Sequence, residues 1–188
     1  MTKTADTAQL SNLPALTRYI TGHNANGEAI VQSEGPAAWR SYDDNSMDFN
    51  VIYTTSQFPA DMNNDLDIKA HETKVASGKL GLVSPGGTVC RVVDFAPGNP
   101  GLMHRTQSLD YGIVLEGEIE MLLDSGDTRT LRRGDIAVQR ATMHAWRNPS
   151  QTEWTRMVFV LQDSQPLTVG GNQLGENLGT SKDIKPSI

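Results

Sequence analysis

Cysteine is nearly absent: Cys90 is the only one in 188 residues. An intramolecular disulfide is therefore excluded, and the usage fits a reducing compartment. Positive charge is also short. Sixteen Lys and Arg face 22 Asp and Glu, a net charge of -6 with pI near 5.1. Phosphate binding needs a basic face, so neither nucleic acid nor an anionic membrane is expected as a partner. The tightest basic cluster, Arg129, Arg132 and Arg133, shares its turn with acidic residues. No apolar run approaches the roughly 20 residues of a membrane-spanning helix. The opening "MTKTADTAQLSNLPAL" lacks the apolar centre of a signal peptide, so the expected location is cytoplasmic. Aromatics make up only 6% of the chain, and there are four histidines.

What remains has the size of one globular domain with a core of its own. Residues 1–15 are small and polar and read as a flexible leader. "RYITGHNANGEAIVQ" (18–32) alternates around an Asn-Gly turn, which predicts a hairpin. "MDFNVIYTTSQFP" (47–59) is rich in strand formers up to Pro59, and the polar stretch 60–78 is expected to be a loop with one helical turn. From Gly87 the pattern sharpens into short β-branched strands: "GTVCRVVDFAPG", "HRTQSLDYGIVLEGEIEMLLD", "TRTLRRGDIAVQR", "MHAWRN" and "EWTRMVFVLQ". Pro-Gly, Ser-Gly-Asp, Arg-Gly-Asp and Asn-Pro-Ser separate them, with no space for crossover helices. Many short strands without intervening helices predict an all-β antiparallel sandwich or barrel. The Gly/Asn/Ser-rich tail, 163–188, reads as flexible or partner-contacting.

Seven positions stand out for chemistry. Side chains alternate faces along a strand, so His104 and Thr106 share one face, and His144 and Trp146 share another. Asp110 opens the strand that follows His104. The stretch with His104 and Asp110, and His144 beyond the next hairpin, is open to a metal site, a metal-free catalytic pocket or an ordinary strand pair with polar residues at its mouth. The same three residues also suit acid–base catalysis without a metal, because imidazole titrates near neutral pH. Gln139 and Arg140 are placed to reach a pocket mouth, where a guanidinium fork holds a carboxylate or phenolate. Trp146 offers a wall for an apolar substrate, although a core role explains it as well. Thr106 reads as a hydrogen-bonding filler beside substrate. His23 and His71 are expected in solvent, and Cys90 in the core.

These spacings resemble the cupin superfamily. Its first motif is a glycine, five residues, His-x-His, a short gap, Glu, six residues and Gly. Here Gly98 leads to His104, Thr106 stands at the second histidine, Asp110 replaces Glu, and Gly117 closes the motif. Its second motif is matched by Gly134, Ala141 at a glycine position, His144 and Asn148, with one residue fewer and no proline. The likeness covers about 85–162 and is nearest to single-domain fungal cupins that accompany polyketide-synthase genes. It implies a jelly-roll β-barrel over 16–162 with N-terminal strands extending one sheet, and a homodimer. It also implies a divalent metal (Zn, Fe or Mn) held by His104, Asp110 and His144, with Thr106 at the place of a further ligand. A small oxygenated organic substrate, no organic cofactor, and an enzyme of lyase or isomerase type are expected with it. The expected chemistry is a proton transfer: dehydration, decarboxylation, isomerisation or cyclisation. Two alternatives stay open: an Fe(II)-dependent dioxygenase on the His104/Asp110/His144 triad, and a non-catalytic small-molecule binder.

Overall fold

The computed structural model describes residues 8–187. Its strands are β1 (Thr17–His23), β2 (Ala29–Pro36), β3 (Trp39–Tyr42), β4 (Met47–Thr54), β5 (Thr88–Phe95), β6 (Ser108–Glu116), β7 (Glu118–Leu123) and β8 (Thr128–Arg132), then β9 (Ile136–Arg140), β10 (His144–Arg147), β11 (Thr155–Asp163), β12 (Leu167–Val169) and β13 (Asn172–Leu174). A six-stranded sheet runs β3-β4-β5-β11-β6-β9 and a three-stranded sheet runs β10-β7-β8; β1–β2 and β12–β13 are separate hairpins. The pairs in these sheets are antiparallel, and the two larger sheets enclose the core as a jelly roll. The expected extension is made by β3 and β4, whereas the Asn-Gly hairpin stands apart as its own ribbon.

Alternation explains what each sheet buries. β11 lies between β5 and β6, and places Met157, Phe159 and Leu161 on the inner face. Their partners on β5 are Val93, Arg91 and Val89, and on β6 Val114, Gly112 and Asp110. Gly112 is required by this packing. A Cβ there would meet Phe159 Cε1 at 2.9 Å, so the ring occupies the space a side chain would take. Gly117 makes the tight turn from β6 to β7 at φ +80°, a backbone region hostile to side chains.

The stretch 60–78 departs from expectation. It carries an 11-residue helix, α1 (Leu66–Ala76), preceded by a 3-10 turn. Its sequence shows no apolar stripe, so hydrophobic periodicity is silent there. Polar contacts anchor it instead. His71, expected in solvent, is buried; its Nδ1 accepts the Thr54 backbone N–H at 3.1 Å, and its ring stacks on Tyr53. Tyr53 in turn donates to Asp67 at 2.7 Å, and Lys74 donates to Ser84 at 2.7 Å. His23 is exposed, as anticipated, and Cys90 is half-buried.

Both ends of the described chain lie on the body. Of the leader, 1–7 falls outside the described residues, while Ser11 is buried and donates to Asp94 at 2.5 Å. Asp94 is held by a two-point ion pair from buried Arg156, whose Nη1 also donates to the Pro14 carbonyl at 2.6 Å. At the other end, Arg105 and Asn177 exchange backbone hydrogen bonds of 2.7 and 2.8 Å, and the Val83 N–H donates to Ser187 at 3.0 Å. Ile184 enters the core at 8% exposure, a burial that contributes about 2 kcal/mol. The tail's composition suggested looseness; single apolar and backbone anchors of this kind leave no periodic signal. Among the described residues no helix is long and apolar enough to cross a membrane.

Candidate active site

Between the sheets lies a cavity of about 60 Å³, lined among others by His104, Asp110, His144, Trp146, Phe159 and Arg91. The two histidines meet across a backbone bridge. His104 N–H donates to the His144 carbonyl at 2.8 Å, and His144 N–H returns to the His104 carbonyl at 2.9 Å. Directly paired residues put their side chains on the same face, and the ring centroids are 4.5 Å apart.

Each imidazole is fixed through Nδ1. His104 Nδ1 lies 2.8 Å from the Leu102 carbonyl, and His144 Nδ1 lies 3.0 Å from the Thr142 carbonyl. A carbonyl only accepts, so Nδ1 carries the proton and Nε2 is left as a lone pair. Burial lowers the basicity of both rings. His144 is brought down to about 3, by desolvation first and by His104 second; His104 is lowered chiefly by desolvation. Both are therefore neutral at pH 7.

Asp110 moves the opposite way. Desolvation lifts its carboxyl from the ordinary range to about 6, against the opposing pull of Ser108, Thr106 and Arg91. Ser108 donates to Oδ1 at 2.5 Å and Thr106 to Oδ2 at 3.2 Å, with the two hydroxyls 2.8 Å apart. Thr106, which stands at a histidine position of the motif, thus serves as a buried support for the carboxylate. It does not itself line the cavity.

The remaining expected site residues divide. Trp146 lines the cavity, edge-on to His144 at 5.7 Å. Gln139 is buried but turned aside, donating to Met121 Sδ at 3.0 Å and accepting from Thr142. Arg140 is exposed on the edge strand β9 and is not a cavity residue. Alternation separates the two, and the short second motif obscured which would face inward. Ala141 sits at φ +51°, in the left-handed region that a glycine usually fills, so the motif geometry persists without the glycine. Asn148 donates to the carbonyls of Phe95, Ala96 and Glu153 and is a structural clamp.

Sequence reading missed two residues. Ser108 lies two positions before Asp110, hence on its face, a signal that strand periodicity provides. Arg91 sits on β5 in the inward row Val89, Arg91, Val93, Phe95, where one charge interrupts an apolar series.

The metal triad does not assemble. Among the described residues no three His, Cys, Asp or Glu side chains are grouped so as to hold a metal ion. The imidazoles have the free Nε2 a metal would take, while the Asp110 oxygens accept from Ser108 and Thr106. Two nitrogen donors without a third ligand grouped beside them fall short of the three protein ligands usual for such centres.

Comparison with known proteins agrees with this architecture. A family model for the cupin domain matches residues 91–161. The phomopsin biosynthesis cluster protein D of Diaporthe leptostromiformis is 44% identical over 167 residues, covering 88% of this chain and 88% of that protein. The chain is also 42% identical, over 81% of its length and 78% of the relative's, to the cupin-domain-containing oxidoreductase virC of Hypocrea virens. The chain belongs to the cupin family. Among solved structures, KdgF from Halomonas sp. is similar with a TM-score of 0.45 and 16% identity, over 68% of this chain and 86% of that one.

Proposed function

We propose that this cupin is an enzyme of secondary metabolism that catalyses proton transfer on a small oxygenated molecule, with Asp110 as the acid–base group. One observation carries this: a buried carboxyl poised near 6 lies in the same cavity as two neutral imidazoles with free Nε2 atoms. A group that titrates close to neutral pH can both take and return a proton. In its ionised form Asp110 removes a proton from carbon beside a carbonyl, giving the enolate. In its protonated form it returns that proton to carbon, or to a departing hydroxyl in a dehydration. The Nε2 lone pairs of His104 and His144 accept a substrate hydroxyl and orient it. The expected roles are thereby exchanged: the carboxyl moves the proton, and the histidines position. Secondary metabolism as the setting is supported by relatives named for phomopsin and oryzine biosynthesis clusters.

The test is deuterium incorporation from D2O into a panel of small 1,3-dicarbonyl compounds and aryl 2-oxo acids, followed by mass spectrometry. Asp110→Asn should slow enzyme-dependent exchange at least about 100-fold. Exchange that persists at the wild-type rate in Asp110→Asn would remove Asp110 from the chemistry.

An oxidoreductase role is the second proposal, favoured by the printed names of virC and of the Aspergillus ruber relative fogC, 40% identical. It predicts dioxygen consumption with added Fe(II), measurable at an oxygen electrode, whereas proton transfer consumes none. A homodimer is proposed as well. Tyr111, Ile136 and Val138 are exposed on paired positions of β6 and the edge strand β9, an apolar patch suited to a second copy. Light scattering should give twice the 20.5 kDa chain mass, and Val138→Lys should return the monomer.

A further inference from the structure

Arg91 carries a charge the fold leaves unbalanced. The residue is 4% exposed and lines the cavity beside His104 and Asp110. Its hydrogen bonds to described residues both come from Nη2, to the carbonyls of Gly81 at 2.7 Å and Leu82 at 2.8 Å. The Nε–H is buried and has no acceptor. None of the ion pairs among the described residues includes it. The one cavity-lining carboxylate, Asp110, is satisfied by Ser108 and Thr106. The Phe49 ring lies 5.5 Å from the Arg91 guanidinium carbon, and Asp110 and Tyr42 act on the charge without an ion pair or hydrogen bond to it.

A buried cation with a spare donor and no carboxylate in direct contact is costly, and native proteins resolve such groups by pairing them. The contrast within this same chain is direct. Arg156, equally buried, has two bonds to Asp94 and a third to a carbonyl. Arg91 is held in place by two carbonyls that orient the guanidinium but contribute no full negative charge. No described residue supplies the missing partner, and the cavity that Arg91 lines is open to a ligand that would.

We propose that Arg91 is the anion-binding residue of the pocket, and that the ligand is a compact carboxylic acid with an apolar body. Nε–H donates to its carboxylate, a charge-assisted bond in a desolvated site. Phe95, Trp146, Phe159 and Leu161 surround the apolar part, and the carbon next to the carboxyl-bearing end faces Asp110 and the two Nε2 atoms. The inference deepens the proton-transfer proposal by naming the substrate class, and it rests on that site being the ligand pocket. Polar selection by the exposed Arg140, the guanidinium expected from sequence, is transferred to a residue on the opposite side of the six-stranded sheet's centre, β5.

The test uses acetate, propionate and benzoate, each beside its uncharged amide, titrated into full-length 15N-labelled protein. Dissociation constants are measured, and the Arg91 Nε–H resonance is followed by NMR. At least one acid should move that resonance and bind about 10-fold or more tightly than its amide. Arg91→Gln should abolish the preference while leaving amide binding unchanged; Arg91→Lys should keep part of it. Equal affinity for acid and amide, a preference that survives Arg91→Gln, or shifts confined to surface resonances with Arg91 Nε–H unmoved would each overturn the proposal. Should Arg91→Gln fail to fold, the wild-type resonance and the acid-to-amide ratio decide alone. These probes bind without turnover. A wild type with no acid preference but intact Asp110-dependent exchange would reject the role of Arg91 only. A wild-type acid preference that depends on Arg91, with Asp110-independent exchange, would reject the proton-transfer proposal only.

Discussion

Replacing Asp110 by Asn should change how the stability of this cupin depends on pH, and the change has a calculable size and sign. The carboxyl titrates near 3.8 in an unfolded chain and near 6 when folded. Between those values the folded state holds a proton that the unfolded state has released. Stability contributed by the protonated carboxyl is therefore fully present below about 3.8 and is lost as pH rises through about 6. A shift of about two units corresponds to about 3 kcal/mol. The histidines run the other way. Their folded values lie below 6.5, so they contribute stability above 6.5 that is lost as pH falls, for His144 down to about 3. In the wild type the two trends overlap and oppose each other between about 4 and 6. Subtracting the Asp110→Asn variant cancels the histidine contribution and isolates the carboxyl. Urea unfolding at half-unit steps from pH 4 to pH 8 gives the free energies. The wild type should lose about 3 kcal/mol relative to the variant across pH 4 to 6.5, with a flat difference above. A difference that does not vary with pH, or that varies only below about 4, would show an ordinary carboxylate and refute the burial argument.

Other outcomes follow from neighbouring features. Arg156→Met leaves Asp94 buried and unpaired and frees the Pro14 carbonyl; it should cost about 3–5 kcal/mol in denaturant unfolding and expose amides near Ser11 to hydrogen exchange. Gly112→Ala places a methyl against the Phe159 ring and should cost about 1–3 kcal/mol, read as a lowered thermal midpoint. Incubation with Fe(II), Mn(II) or Zn(II) followed by desalting should leave well under one metal per chain by mass spectrometry. Stoichiometric metal that is lost in Asp110→Ala would restore the triad.

Much of this architecture was readable from the sequence because turns and alternation govern it. The strand run after Gly87 and the Asn-Gly hairpin follow from period-two patterning and turn residues. His104, Asp110, His144 and Trp146 meet in one cavity as motif spacing implied, since a bridge between two strand positions fixes both side chains. What escaped prediction depends on partners distant in sequence. The helix Leu66–Ala76 is held by Tyr53, Thr54 and Ser84, not by an apolar stripe of its own. Ile184 reaches the core from a polar tail. Arg91 became visible only when β5 was seen to face the cavity. The opposite shifts of the Asp110 carboxyl and the His144 imidazole reflect desolvation, which no local pattern encodes.

The central claim is that Asp110 is the group that changes charge near neutral pH while both imidazoles stay neutral. Site-resolved NMR titration of the Asp110 carboxyl carbon and of the His104 and His144 ring nitrogens tests all three at once. The expected result is a carboxyl midpoint near 6, with His144 protonated only at Nδ1 throughout pH 5 to 8 and His104 titrating below its ordinary 6.5. A carboxyl midpoint near 4 with either imidazole titrating near 6.5 would contradict it and return the proton to histidine.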